Sequence, residues 1–295
     1  MMQQTLRSKK QTQHTLRSKR QMQRLGKYST YFILILTSLI CIVPFLWMIL
    51  TSFKTNAEAL RFPPTLLPQK WILTNFSKGL ARADFGRFTV NTLILSVTCT
   101  MGTVISAALV AYGFSHFKAR GSKMWYTLLL ATMMLPAQVT LVPQYLIYYK
   151  MGMLDSYWPM IIPSWLGGGA FNIFLYCQFF KSLPRELNEA AEIDGANTFQ
   201  TFLRVMMPAV KAVWICVGVM SLVYHWNDFY TPLIYLNSSQ KYTIAIGLQF
   251  LNSSQGTSKI GMMMAVALTT MLPVLLLFFV LQKYFIQGIK ISGMK

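Results

Sequence analysis

The chain has 295 residues, of which 54% are hydrophobic and only 12% are charged, and its mean hydropathy is +0.43. Soluble proteins carry roughly 25% charged residues, so this composition argues against a soluble fold. The formal net charge of +19 would suit a nucleic-acid binder, but such proteins do not carry several uncharged apolar runs of bilayer length.

The N-terminal tail, residues 1–27, contains eight Lys and Arg residues and no acid. Its basic region and the apolar run that follows are both too long for a cleaved signal peptide. The composition predicts a disordered cytoplasmic tail that sets the orientation in the membrane. A lipid-binding or nucleic-acid-binding role for the tail is the alternative.

Six apolar stretches are long enough to cross a bilayer, since a spanning helix needs about 20 largely apolar residues. They predict an all-α polytopic membrane protein whose membrane domain occupies residues 28–295. Of the 27 Lys and Arg residues, 18 lie on the side that holds both termini, so that side is predicted to be cytoplasmic. The predicted spans are about 30–53, 90–114, 124–147, 158–180, 209–235 and 260–282.

Several of these spans contain residues that interrupt helices. Membrane helices tolerate such breaks where neighbouring protein or a wet cavity satisfies the freed backbone groups. Kinked helices around a pathway and a close-packed bundle with glycine contacts explain the pattern equally well. The residues concerned are Pro44, Pro136, Pro143, Pro163, Pro273 and the triplet Gly167, Gly168 and Gly169.

The sequence lacks the patterns of enzymatic chemistry. It contains no GxxxxGK[ST] phosphate loop, no HExxH and no GxSxG, so we expect no catalysis, no metal and no cofactor in this chain. The four cysteines lie in apolar runs and are interpreted as packing residues. The spans are almost free of charge, which disfavours a self-sufficient secondary transporter or channel, the alternative function considered for this chain. A transporter of this kind needs a partner as its energy source.

The loop at 181–208 has the most informative composition, because half of the eight acidic residues are concentrated in it. Pro184 suits the first turn of a helix that Ser182 can cap, and Gly195 permits a left-handed C-cap. We therefore predict a helix over 184–194, a glycine corner, and a second helix leading into the membrane. Such a helix can dock in a groove of another protein or rest on the membrane. The negative cytoplasmic leaflet disfavours the second for an acidic helix. The acids are Glu186, Glu189, Glu192 and Asp194.

The run from Glu189 to Ala196, EAAEIDGA, with Pro208 thirteen residues after Gly195, resembles the EAA loop of inner-membrane permease subunits in binding-protein-dependent ABC importers. Further short matches resemble the sugar-transport branch, and within it the smaller, six-span subunit of maltose-type permeases. Two departures, Met207 before Pro208 and Ala212 in place of a proline, are both apolar. The further matches are Pro44-Phe45, Ser52-Phe53-Lys54, Leu135-Pro136, Pro143, Trp226 to Phe229, Pro232-Leu233, Gln282 to Phe285 and Gly288.

The resemblance implies a type I ABC importer permease fold (MetI-like) in a bacterial cytoplasmic membrane, with both termini cytoplasmic. It implies a second permease subunit, two ATPase subunits that bind the ATP, an extracytoplasmic solute-binding protein, the lipid bilayer and a sugar substrate, with no nucleic acid. The EAA helix would sit in a cleft of the ATPase. There Glu189 would bind a basic or backbone donor group of the ATPase, the two alanines would permit close approach, and the corner at Gly195 would transmit the movement of the ATPase to the spans. The coupling residues are Glu189, Ala190, Ala191, Asp194, Gly195 and Pro208.

Asp228 is the only formal charge between Lys211 and Lys241, and a carboxylate near a span is a functional candidate. It can line a wet sugar pathway or belong to an aromatic belt at the membrane surface. At the C-terminus, the resemblance implies ATPase contact, and a leaflet anchor is the alternative. The pathway or gate candidates are Trp226, Asn227, Asp228 and Tyr230, and the C-terminal candidates are Phe285, Gly288 and Gly293.

Overall fold

The long apolar runs of the sequence form helices in the computed structural model of the protein, which describes residues 2–82, 84–253 and 259–292. Regular secondary structure is helical throughout that part of the chain. The helices are α1 Met2–Ser52, α2 Asn56–Ala59, α3 Thr74–Arg82, α4 Phe85–His116, α5 Ser122–Thr132, α6 Ala137–Lys150, α7 Trp158–Trp165, α8 Ala170–Ser182, α9 Glu186–Ile193, α10 Thr198–Thr201, α11 Met207–Ala209, α12 Lys211–Asn227, α13 Tyr230–Tyr235, α14 Ile244–Ser253 and α15 Ile260–Ser292.

Within the described residues, four helical stretches are long and apolar enough to cross a membrane. A fifth span results if the helices Thr198–Ala209 and Lys211–Asn227, which are bent by 82° relative to each other, are counted together. Six spans stay a prediction, because the predicted third span is split into two shorter helices. The four stretches are Lys27–Ser52, Phe85–His116, Trp158–Ser182 and Ile260–Val280.

The breaks lie where the sequence places proline and glycine. Residues 133–136 separate α5 from α6, and Pro136 has extended backbone with φ −60° and ψ 134°. Residues 166–169 separate α7 from α8, and all three glycines of that break have positive φ. The predicted span 209–235 is likewise two helices, α12 and α13, because the backbone leaves the helix at Asp228.

The basic tail begins the first helix. Residues 2–26, for which disorder was predicted, have helical backbone that continues directly into the first apolar run as α1. The physical reason is local: this stretch is rich in Gln, Lys, Arg, Leu and Met, which have high helix propensity, and Gly and Pro are absent before Gly26.

Helix α4 lies at the centre of the bundle and packs against α7, α8 and α12, while α1 packs against α15. Small residues permit this close approach: a Cβ on Gly102 of α4 would lie 2.5 Å from the indole of Trp165 on α7. The predicted packing role of the cysteines holds for Cys99 and Cys177, which are fully buried. The apolar part of α1, by contrast, is largely exposed, as expected for a helix that faces lipid or a second subunit.

Candidate functional site

Helix α9 has two turns and ends in a glycine corner on the side that the charge distribution predicts to be cytoplasmic. The N–H of Gly195 donates to the carbonyl of Glu192 (3.0 Å), and the N–H of Ala196 donates to that of Ala191 (2.9 Å). These two bonds form a Schellman motif, which satisfies carbonyls at the helix end. The backbone at Gly195 has φ +79° and nothing lies within 4 Å of a Cβ built there, so glycine is needed for conformation alone. The predicted left-handed C-cap is confirmed.

The start of α9 differs from the sequence prediction. Ser182 ends α8, and its hydroxyl donates backwards to the carbonyl of Phe179 (2.8 Å) instead of capping α9. The N-cap position is Arg185, whose side chain makes no capping hydrogen bond. The helix therefore begins at Glu186 rather than at Pro184, because the two residues after Ser182 first turn the chain away from α8.

The second half of the loop is a series of short helical pieces. Asn197 and Gln200 cap α10 reciprocally: each side-chain oxygen accepts from the other residue's backbone N–H, at 2.9 and 3.0 Å. A π-helical turn, Phe202–Met206, and α11 follow. Pro208, in α11, has no N–H to donate, so it interrupts the hydrogen-bond ladder shortly before the 82° bend that leads into α12.

The π-helical turn attaches the loop to the bundle. Phe202 and Met206 are buried in the cluster that α4, α8 and α12 form. The rings of Phe202 and Tyr112 of α4 lie 5.2 Å apart, and the Tyr112 ring also meets that of Phe180 on α8 in an edge-on contact. Close-packed side chains, which deform little, therefore attach the loop to the spanning helices.

The outer surface of α9 combines acidic and apolar side chains. Glu189, Ala190 and Asp194 are exposed, and Ile193 is 86% exposed. Large apolar side chains in water indicate an interaction surface when they adjoin each other and polar residues. Ala191, by contrast, is 7% exposed and faces inward, since successive helical residues cannot face the same side, and its role in close approach stays a prediction.

A cavity of about 460 Å³ lies among six helices, toward the side opposite α9. Its lining combines apolar and hydrogen-bonding side chains. The lining residues are Thr103 of α4, Gln144 of α6, Pro159, Met160, Pro163 and Ser164 of α7, Gly168 and Gly169, Phe171 and Asn172 of α8, Met220, Ser221, Tyr224 and His225 of α12, Asp228, and Thr231 and Tyr235 of α13. We call it the pathway cavity.

Two breaks in the helices shape the pathway cavity. At Gly168, φ is +63° and a Cβ would lie 2.7 Å from the backbone oxygen of Thr103, so only glycine allows α4 this close. At the other break, Asp228 follows the last residue of α12, and its Oδ1 accepts from the N–H of Thr231 (3.1 Å) at the start of α13. The carboxylate therefore serves as a helix cap while lining the cavity.

Residues 102–291 match the family described as Binding-protein-dependent transport system inner membrane component. This match covers more than half of the chain and includes both α9 and the pathway cavity. The chain belongs to this family. It is thus a multi-pass permease, and the family decides against the self-sufficient secondary transporter or channel that the sequence left as an alternative.

Individual relatives agree with the family. The permease is 31% identical to the probable ABC transporter permease protein YurM of Bacillus subtilis, over 92% of this chain and 89% of that protein. It is 28% identical to the lactose transport system permease protein LacG of Rhizobium radiobacter, over 90% and 96% of the two chains. In fold, it is similar to a chain of a bacterial ABC transporter involved in the import of the acidic polysaccharide alginate. That match has a TM-score of 0.78 and 22% identity and covers 89% of this chain and 97% of that one.

Of the four predicted pathway residues, only Asp228 lines the pathway cavity of the permease. Trp226 is buried in a separate apolar cluster that also contains Phe85. Asn227 is exposed, and its amide donates to the carbonyl of Val223 (2.8 Å). Tyr230 is 73% exposed. The four are neighbours in sequence, but Trp226 and Asn227 face different sides of α12, and Tyr230 lies beyond the break at Asp228.

Sequence reasoning missed the polar residues that other helices bring to the cavity, above all Gln144, Asn172, Tyr224 and His225. A signal existed for Asn172, which comes three residues after the glycine triplet. Its amide donates to the carbonyl of Gly168 (2.7 Å), at the break itself.

A second polar cluster missed by the sequence ties two loops together on the outer side. The Asp155 carboxylate accepts from the backbone N–H of Asn237 (3.0 Å) and of Ser238 (2.9 Å), from the Ser238 hydroxyl (2.5 Å), and from Lys241 at 2.9 Å. Its backbone has φ +51°, which is uncommon for a residue other than glycine. The Ser238 hydroxyl and the Lys241 ammonium hold the pKa of the Asp155 carboxyl well below its usual range. We call these four residues the outer clasp.

The C-terminal candidates lie at the edge of the described chain. Phe285 and Gly288 belong to the backbone of α15, and Gly293 lies outside the described residues. Where the structure describes the chain, it brings together no group of three or more His, Cys, Asp and Glu residues that would suit a metal ion.

Proposed function

We propose that this permease is one of two membrane subunits of an ABC importer for carbohydrates. In this proposal it forms half of the translocation pathway and transmits the work of a separate ATPase. The observation that carries the proposal is the exposed acidic and apolar surface of α9, which the Gly195 corner and the buried π-helical turn join to the bundle.

The coupling step follows from these contacts. The ATPase, which binds the ATP, receives α9 in a cleft, with Glu189 as an anchor and Ala190 permitting close approach. Exposed carboxylates near a cationic or N–H-rich cleft gain charge-assisted hydrogen bonds. Closure of the ATPase dimer then displaces α9, and the aromatic contacts between Phe202 and Tyr112 pass that displacement to α4. Asp194 contributes a carboxylate to the surface of α9. Gly195 forms the corner after α9, and Pro208 precedes the bend into α12.

Carbohydrate is the substrate class that the relatives favour. Lactose and alginate, the two substrates that the names of the compared proteins contain, are both carbohydrates. The lining of the pathway cavity is compatible with this class, because amides and carboxylates bond hydroxyl groups and aromatic rings lie against sugar rings. The sugar is delivered by an extracytoplasmic binding protein, as the family description implies.

The remaining partners and the orientation complete the proposal. Both termini are cytoplasmic because most of the Lys and Arg residues lie on their side. The exposed apolar faces of α5 and α6 are available to the second permease subunit and to lipid. The C-terminal segment with Phe285, Gly288 and Gly293 is a further candidate for ATPase contact.

The test is the charge reversal Glu189→Lys in the complete importer, reconstituted in lipid with its ATPase, second permease and binding protein. We expect ATP hydrolysis stimulated by the binding protein to fall at least about tenfold, which is about 1.4 kcal/mol of lost interaction. The same preparation is assayed for uptake of radiolabelled neutral oligosaccharides.

The matched control is Asp84→Lys, which makes the same kind of charge reversal at an exposed carboxylate far from α9. Membrane insertion of both variants is checked first. Normal stimulation in the Glu189 variant, or equal losses in both variants, contradicts the proposed coupling role.

A further inference from the structure

The pathway cavity is built within this one chain, and its position along the helices is informative. Helix α12 rises about 1.5 Å per residue from Lys211, so Asp228 lies roughly 25 Å from the predicted cytoplasmic end. Gly168 lies ten residues after Trp158, at mid-depth of the span that α7 and α8 form together. The cavity therefore occupies the outer half of the spans, where a substrate released from a binding protein arrives first.

The cavity offers many hydrogen-bonding groups and few charges. Gln144 and Asn172 contribute amides, and Tyr224 and Thr231 contribute hydroxyls. The amide N–H of Asn172 already donates to Gly168, which leaves its carbonyl oxygen available as an acceptor. Such a set of amides, hydroxyls and aromatic rings matches the alternating polar edge and apolar face of a sugar ring better than it matches an apolar ligand.

Two buried hydroxyls in the wall leave hydrogen-bonding capacity unused. Ser221 and Tyr235 both line the cavity, and within the described part of the chain neither side-chain oxygen has a hydrogen-bond partner. Both oxygens are buried beneath the cavity surface, so the groups that a ligand can reach are the amides and hydroxyls named above.

The charge of the lining is the decisive observation. Asp228 is its single carboxylate, and its lining residues include no Lys or Arg among those that the structure describes. His225 is the one lining side chain that can become cationic, and Asp228, three residues further on, would then leave the pair neutral. A second carboxylate entering the cavity meets repulsion that low dielectric strengthens.

We propose that the pathway cavity is a binding site of this chain for a neutral glycosyl unit during translocation, and that it rejects uronic acids. The proposal rests on the proposed function as a carbohydrate permease and narrows its substrate class. It separates this chain from the alginate importer of similar fold, which is involved in the import of an acidic polysaccharide.

The test measures sugar binding to the complete importer in lipid nanodiscs, without the binding protein, so that only the membrane subunits select. The probes are radiolabelled maltotriose, lactose and diacetylchitobiose as neutral sugars and mannuronate trisaccharide as the acidic sugar. We expect at least one neutral sugar to bind at least about tenfold more tightly than the acidic one. Equal or tighter binding of mannuronate trisaccharide, or no binding of any neutral sugar up to ~10 mM, overturns the proposal.

The variant Asp228→Asn removes the charge and keeps an Oδ1 that can cap Thr231. We expect it to tighten the binding of mannuronate trisaccharide at least about fivefold relative to the neutral sugar. An unchanged ratio between the two sugars contradicts the role of this carboxylate.

A pair of asparagines provides the matched control for the position of the site. Asn172 and Asn227 each donate to the carbonyl four residues earlier, but only Asn172 lines the cavity. We expect Asn172→Ala to weaken binding of the neutral sugar about fivefold or more and Asn227→Ala to leave it unchanged. Equal effects of the two substitutions contradict the assigned position.

Stimulation of ATP hydrolysis by the binding protein separates this inference from the proposed function. A wild-type importer that couples normally but binds no neutral sugar contradicts the inference and leaves the coupling role intact. A wild-type importer whose ATPase ignores the binding protein contradicts the proposed function itself.

Discussion

The coupling loop and the pathway cavity obtain their properties by different means. The loop is made of consecutive residues from Leu183 to Val210, and its corner, caps and bend follow from local hydrogen bonds. The cavity takes its lining from six helices, and its two breaks matter because they bring distant helices together. The loop therefore tolerates changes that keep its backbone conformation, whereas the cavity depends on the distance between helices.

The largest expected effect comes from Gly168→Ala, because the cavity depends on close approach. The new Cβ would lie 2.7 Å from the backbone oxygen of Thr103, at a positive φ that alanine adopts reluctantly. We expect backbone strain and overpacking together to lower the free energy of unfolding by about 2 to 5 kcal/mol. Thermal unfolding of the purified permease in detergent measures the loss.

The control for this substitution is Gly152→Ala, where φ is +66°, close to that of Gly168, and nothing lies within 4 Å of a Cβ built there. This substitution causes the backbone strain without the steric clash, so it should lower the free energy of unfolding clearly less than Gly168→Ala does. Equal losses would mean that close approach of α4 is not what Gly168 provides.

The next largest effect is expected from Gly195→Ala, which changes the loop. Unlike Gly168, Gly195 has open space around it, so this substitution tests backbone conformation without a steric clash. We expect a modest loss of stability, about 1 to 2 kcal/mol, but a fall of about threefold or more in stimulated ATP hydrolysis, since α9 changes its angle to the bundle. Reconstituted importer is used for the ATPase measurement.

Gly152→Ala is the control for the loop variant: φ is +66° and nothing lies within 4 Å of a Cβ built there. It imposes similar strain in the outer loop after α6. If Gly152→Ala lowers stimulated ATP hydrolysis as much as Gly195→Ala does, the corner at Gly195 has no special role in coupling.

The smallest expected effect concerns the outer clasp. Asp155→Asn removes the ion pair to Lys241 and replaces a partly exposed carboxylate by a weaker hydrogen-bond acceptor. We expect the free energy of unfolding to fall by about 1 kcal/mol. Asp84→Asn, at the exposed pair with Arg87, is the control and should cost less, within about 0.5 kcal/mol. Chemical or thermal unfolding at neutral pH compares the two.

The outer clasp also predicts how the stability of the permease changes with pH. Because the pKa of the Asp155 carboxyl is lowered in the folded chain, its stabilisation is present above the ordinary carboxyl pKa of about 3.9 and declines as the pH falls below that value. The difference in stability between wild type and Asp155→Asn should therefore shrink in acid. A difference that grows in acid would contradict this sign.

The coupling loop shows how far local sequence reasoning reaches. The acids of α9, the left-handed Gly195 and the interruption at Pro208 are all properties of a few neighbouring residues, and the structure has them where the sequence placed them. A motif names residues without their faces, so it does not show which of the two alanines is exposed. Helical geometry turns Ala191 toward the core while Ala190 stays exposed.

The pathway cavity shows where that reasoning stops. Asp228 was found because it is an isolated charge, but Gln144 and Asn172 carry no local signal of their shared cavity. They are 28 residues apart in the chain and on different helices. Only the packing of α6 against Tyr235 of α13, together with that of α7 and α8 against α4, brings them to one site.

The sequence by itself determined that this is a basic, polytopic helical protein with an acidic loop that ends in a glycine corner, because hydropathy, charge and glycine or proline conformation act over short distances. Only the tertiary structure decided which polar residues share the pathway cavity and that Asp155 closes the outer clasp. These contacts join residues far apart in the chain, and their geometry depends on how the helices pack rather than on what any one segment contains.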